Sequence, residues 1–171
     1  MHAIPNFKKV VTKLADGLQI DLSRPGTYFR LVQGNCGYLI IENLGNSRIS
    51  LTNYVQVGND WAADPRVITY VSNQDEDDDF GENDWYPMEI SEFFGGWQLC
   101  AEVSQEGDLL VRDDDLMREM ANVIDDLIVA SLLMQDWQRL GTLAQDAVIT
   151  PTREYAEPHD FFVEQPDDVP F

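Results

Sequence analysis

The sequence predicts an α+β domain, with an antiparallel sheet of about five to six strands covered by a short N-terminal and a long C-terminal helix. Three observations carry that prediction. Between Thr27 and Val111 the apolar residues recur in short runs of strand length. The runs are joined mostly by two to five turn-forming residues, too few for the dozen or more that a parallel crossover needs. Helical spacing appears only before and after that stretch, which puts the helices at the ends of the chain.

The first helix begins at Pro5, where a first turn tolerates a proline. Phe7, Val10, Val11 and Leu14 follow at i, i+3, i+4 and i+7, and Gly17 ends it. Lys8, Lys9 and Lys13 fall on its polar side. The runs TYFRLVQ and YLIIE, separated by Gly34-Asn35-Cys36-Gly37, read as a hairpin. Gly45-Asn46 leads into RISLTNYVQV, where Ile49, Leu51, Val55 and Val57 alternate with Ser50, Thr52, Tyr54 and Gln56. Gly58-Asn59-Asp60 makes the next turn. The Asp64-Pro65 step, biased toward extended or turn backbone, precedes RVITYVS as a fourth strand.

Residues 73–84, NQDEDDDFGEND, lack apolar periodicity and read as a solvated loop leading to WYPMEI. Gly95-Gly96 marks a bulge or close backbone approach, and WQLCAEV and DLLVR flank a turn at Ser104 to Gly107. From about Asp113 to about Leu140, Leu116, Met120, Val123, Leu127, Ala130, Met134 and Trp137 alternate steps of four and three, an apolar helix stripe. Asp113, Asp114 and Asp115 stand at its start, where carboxylates cap free amides. The expected organisation is one domain over residues 1–145 and an acidic tail over 146–171. Residues 150–171 hold four of the eight prolines and six acids against one arginine.

Charge is unevenly placed. Residues 1–72 carry seven Lys/Arg and five Asp/Glu, whereas residues 73–171 carry four and twenty-six, so nearly all of the net charge of −20 lies in the second part. Such a surface repels nucleic acid and anionic lipid and attracts cations or basic protein faces. Direct nucleic-acid binding and membrane association are therefore not expected. There is no apolar run of signal-peptide or membrane-span length, and Cys36 and Cys100 read as packed thiols, so a reduced, cytoplasmic protein is expected.

Catalytic signals are missing. His2 and His159 fall near the ends, and no HExxH, paired CxxC, phosphate-loop or dinucleotide pattern occurs. Asp115, Glu119 and Asp126 read as a solvated helix face rather than an acid/base set. Placing Asp75, Asp77 and Asp79 on an EF-hand pattern puts Phe80 at the required glycine and Tyr86 at the required glutamate. No metal site, cofactor or enzymatic activity is expected.

Two sets of residues are candidates for binding. Asp75, Glu76, Asp77, Asp78, Asp79, Glu82 and Asp84 would meet a basic protein surface. Asp60, Trp61, Asp64, Trp85 and Tyr86, at turns with aromatic and acidic groups, would line a small-ligand or divalent-cation pocket. The run RISLTNYVQVGNDWAADPRVITYV, followed by Trp85-Tyr86-Pro87 and a long C-terminal helix, resembles an uncharacterised bacterial domain family associated with phage, plasmid and other mobile-element genomes. Arg66 and the DEDDD run depart from its pattern. The resemblance implies an α+β domain and a mobile-element context, and no activity. The expected function is a non-enzymatic acidic interaction protein, acting as a nucleic-acid mimic toward a basic partner. A ligand- or cation-binding domain is the alternative.

Overall fold

A computed structural model describes residues 1–32, 37–72, 83–92, 95–130 and 148–149. Helix α1 runs Pro5–Gly17, with Pro5 in its first turn and Phe7, Val11 and Ala15 buried. Its N-cap residue, Ile4, has no side-chain acceptor to offer. A distant aspartate substitutes for it: Asp125 Oδ1 accepts from the Phe7 N–H at 2.7 Å, and Oδ2 from Asn6 Nδ2 at 3.0 Å.

Six antiparallel strands follow in order across one sheet: β1 (Tyr28–Val32), β2 (Gly37–Gly45), β3 (Arg48–Val57), β4 (Asp60–Val71), β5 (Trp85–Glu92) and β6 (Gly96–Leu99). The β2–β3 turn holds Asn46 and Ser47 at φ 49° and 56°, the left-handed pair that a tight two-residue hairpin requires. Strands β7 (Ala101–Val103) and β8 (Leu109–Val111) form a separate hairpin, so the run WQLCAEV divides at Cys100 between two sheets. A short β9 (Val148–Ile149) pairs with β1 at the far edge, which places two residues of the expected tail segment in the sheet.

Cross-strand register sorts the side chains. One side carries Phe29, Ile41, Leu51, Val67 and Ile90 in a continuous row, with Leu31, Leu39, Ile49, Thr69 and Trp85 beside it. Phe7 of α1 meets Trp85 edge to face at 6.3 Å, and the Ile4 N–H bonds the Trp85 carbonyl at 2.9 Å, so α1 lies on this apolar side. Helix α2 (Asp114–Asn122) continues into a π-helical turn (Val123–Ile128) and contributes Met117, Met120, Ala121, Ile124 and Ile128 to the same core.

Three expectations change. The stripe on α2 holds at Met120, which is buried, but shifts by one residue elsewhere: Met117, Ile124 and Ile128 point inward, whereas Leu116 is only half-buried and Leu127 is 67% exposed. Apolar residues occur there in adjacent pairs, and the Asp125 contact with α1 orients the helix so that the second of each pair faces the core. The helix is described as far as Ala130, and its predicted continuation to Leu140 lies outside the described residues. The alternation in β3 also breaks down. Ile49 to Asn53 are all buried, a register irregularity falls between Thr52 and Tyr54, and Val57 is exposed. Finally, β4 starts at Asp60, ahead of the predicted RVITYVS, and takes in the Asp64-Pro65 step, a cis peptide bond that lies opposite the irregularity in β3.

Candidate functional site

The five residues expected to line one pocket are not brought together. Asp60 is exposed beside the β3–β4 turn and pairs with Val57, and the Trp61 backbone pairs with Gln56. Trp85 and Tyr86 pair with Val71 and Tyr70, at the other end of β4. Eleven strand steps separate Asp60 from Val71, roughly 35 Å at 3.3 Å per residue. Asp64 lies partway along, its carbonyl accepting from Asn53 Nδ2 at 2.9 Å. Trp85 is a core residue with 1% of its surface exposed, and Tyr86 donates to Asp84 Oδ2 at 3.4 Å. Turn residues that look alike in the sequence are held apart here by the length of the strands between them.

Of the acidic-loop candidates, Asp75, Glu76, Asp77, Asp78, Asp79 and Glu82 lie outside the described residues, as does Cys36. Asp84 is exposed, its backbone tied to Ser72 by Ser72 N–H to Asp84 O at 2.8 Å and Asp84 N–H to Ser72 Oγ at 3.0 Å. This clasp fixes the outgoing end of the loop against β4. Among the described residues no group of three His, Cys, Asp or Glu is arranged to hold a metal. Cys100 is fully buried, and burial pushes its thiol up to about 11, so it stays protonated and unreactive. Among the described residues no helix is long and apolar enough to cross a membrane.

Among the described residues the acids are densest on α2 and the β7–β8 hairpin. Between Ala101 and Ala130 the chain has nine acids, Glu102, Glu106, Asp108, Asp113, Asp114, Asp115, Glu119, Asp125 and Asp126, against two bases, Arg112 and Arg118. Both arginines already hold acids of the same surface, Arg112 bonding Glu102 and Arg118 bonding Asp115 at 2.6 Å. Asp115, Glu119 and Asp126 fall at i, i+4 and i+11, one solvent-facing row on the helix. Two of the nine have structural work: Asp113 caps α2 by accepting from the Leu116 N–H at 2.9 Å, and Asp125 caps α1. Asp114 accepts from His2 Nε2 and the Met1 amine, each at 3.2 Å, and these bonds, that of His2 foremost, hold its carboxyl below the usual carboxylate value.

The polar side of the sheet was not singled out in the sequence. Register aligns Tyr28, Glu42, Ser50, Ile68 and Glu89 in one row and Arg30, Ile40, Thr52, Arg66, Ser91 and Trp97 in the next, with Arg48, Tyr70 and Tyr86 beyond. Glu42, Ser50, Thr52 and Arg66 are buried. Desolvation pushes the Tyr54 phenol up, and the nearby Arg66 and Glu42 charges act on it in opposite directions. The signal for this surface was available in the mainly polar half of the strand alternation, which reads equally well as a solvated face.

The arrangement supports charge-based recognition on α2 and the hairpin, and it does not assemble a convergent set of acid, base and nucleophile among the described residues. In comparisons with family models, curated proteins and solved structures, none matches this chain, so its site is read from its own residues.

Proposed function

We propose that this protein is a non-enzymatic interaction protein whose acidic surface binds a basic protein face, of the kind that otherwise holds nucleic acid. The observation that carries the reading is the outward row on α2 together with the β7–β8 acids, six carboxylates whose two nearby arginines are both already engaged. Like charges four apart on a helix cost a few tenths of a kcal/mol. Here Asp115 and Glu119 stand in that relation. A cationic partner removes that repulsion. Duplex DNA presents one negative charge per about 1.7 Å of axis, and a dense carboxylate surface competes for the same Lys and Arg groups.

The test is capture of a purified basic nucleic-acid-binding domain on immobilised protein at low and at high salt, with the Asp115→Asn, Glu119→Gln, Asp126→Asn variant in parallel. Binding at low salt, released by salt and weakened in the variant, is the expected result. Equal capture by wild type and variant would remove α2 from the interface, and no capture at low salt would end the proposal.

A further inference from the structure

We propose that α2 docks a basic amphipathic helix of a partner protein along a second apolar row, Leu116, Val123, Leu127 and Ala130, which the core leaves partly or wholly open. The inference rests on the acidic recognition proposed above and names the form of the partner. Leu116, Met120, Val123, Leu127 and Ala130 follow one another at steps of four, three, four and three, the heptad spacing of a seam between two packed helices. The fold uses part of that seam. Met120 is 2% exposed and lies deepest, Leu116 and Val123 rest against the core but stay partly open, Ala130 is exposed, and Leu127 is 67% exposed. The core side of the helix is supplied by Met117, Ala121, Ile124 and Ile128.

Helix α1 does not cover this row. It packs against another flank of α2, where Asp125 holds the Asn6 side chain and the Phe7 N–H, and Leu127 lies roughly half a turn further around the axis. From Leu116 to Ala130 the row is about 20 Å long, nearly four turns of a second helix laid beside it.

Charge selects the occupant. Asp115, Glu119 and Asp126 run alongside the row, and Glu119 and Asp126 immediately precede Met120 and Leu127, the positions that face across to the partner helix in a two-helix seam. Arg118, on the same surface, already bonds Asp115. A second copy of α2 would bring like charges against these acids, at a net charge of −20 per chain, so self-pairing is disfavoured. A helix with leucines or isoleucines at heptad spacing and lysines or arginines beside them suits both rows. Its apolar side covers Leu127 while its bases meet Glu119 and Asp126, the form of recognition in which a helix lays its apolar face on a partner's apolar surface. Covering a leucine that is 67% exposed contributes roughly tenfold in affinity.

The probe is a fluorescent peptide of about 20 residues, with leucines at heptad spacing flanked by lysines, compared by anisotropy with a scrambled peptide of the same composition. The full chain should bind the ordered peptide at least about tenfold more tightly than the scrambled one. Leu127→Gln, a helix-compatible change checked by circular dichroism, should weaken the ordered peptide by about fivefold or more and leave the scrambled one unchanged. Val57→Gln, at another exposed apolar residue, beside the β3–β4 turn, should leave both unchanged. Equal affinity for the two peptides, no loss in Leu127→Gln, or an equal loss in Val57→Gln would overturn helix docking. If the peptides bind equally and the Asp115→Asn, Glu119→Gln, Asp126→Asn variant weakens both, acidic recognition stands and helix docking falls. Binding of neither peptide, with the basic domain still captured, has the same meaning, whereas loss of the peptides and the domain together ends both readings.

Discussion

At the scale of single residues, carboxylates with structural duties are distinct from those left for recognition. Asp125 joins the two helices by accepting from the Phe7 N–H and from Asn6. Replacing it with Ala leaves the start of α1 without its acceptor, and a loss of about 1–2 kcal/mol is expected in urea denaturation. A change within about 0.3 kcal/mol would show that α1 needs no cap. Asp114 makes a different prediction. Its folded-state carboxyl is held low by His2 and by the Met1 amine, so it binds protons less readily than in the unfolded chain. The stability it contributes is present above the ordinary value of 3.8 and disappears as pH falls through its lower folded value. The melting temperature of wild type should therefore exceed that of Asp114→Asn at pH 6, and the gap should close as pH drops below about 4. A gap that widens in acid would reverse the assignment.

At the scale of elements, α1 was readable because each of its signals has one physical interpretation: a proline at the start, an apolar row and a glycine stop. Helix α2 was located and capped correctly from Asp113, and Met120 faces the core as expected, but the rest of its inward side was misjudged. Adjacent pairs Leu116-Met117, Val123-Ile124 and Leu127-Ile128 support two phases that differ by about 100° around the axis. Local periodicity cannot choose between them, since the choice is made by the tertiary contact of Asp125 with α1. Ile124→Ala should accordingly cost about 2–5 kcal/mol in a thermal or urea melt, while Leu127→Ala should change stability by less than about 0.5 kcal/mol. Equal effects would restore the earlier phase. The candidate pocket failed for a geometric reason. Asp60 and Trp85 border turns of similar composition, and only the strand register shows that the full length of β4 lies between them. The polar side of the sheet escaped notice because β3 alternates as a half-solvated strand would, although both of its sides are buried.

At the scale of the whole molecule, a net charge of −20 on 171 residues makes self-repulsion a standing cost of the folded state. Added salt shortens the range of that repulsion from about 10 Å at 0.1 M. The melting temperature should rise as sodium chloride increases from 10 to 200 mM. A fall would mean that internal pairs, such as those of Arg112 and Arg118, outweigh the repulsion. The acidic surface was legible as an excess of acids in the second part of the chain, and its α2 row as the solvated helix face of Asp115, Glu119 and Asp126, whereas the hairpin acids were not singled out. Most of residues 75–84, the candidates singled out in the sequence, lie outside the described residues, and the described outward carboxylates are densest between Glu102 and Asp126.

The most direct measurement of the central claim is the salt dependence of binding to a basic nucleic-acid-binding domain, as log Kd against log salt for wild type and for the Asp115→Asn, Glu119→Gln, Asp126→Asn variant. Wild type should bind more weakly with each increment of salt, and the variant should show both lower affinity at low salt and a shallower slope. Binding that ignores salt, or an identical slope in the two proteins, would contradict recognition through the carboxylates of α2.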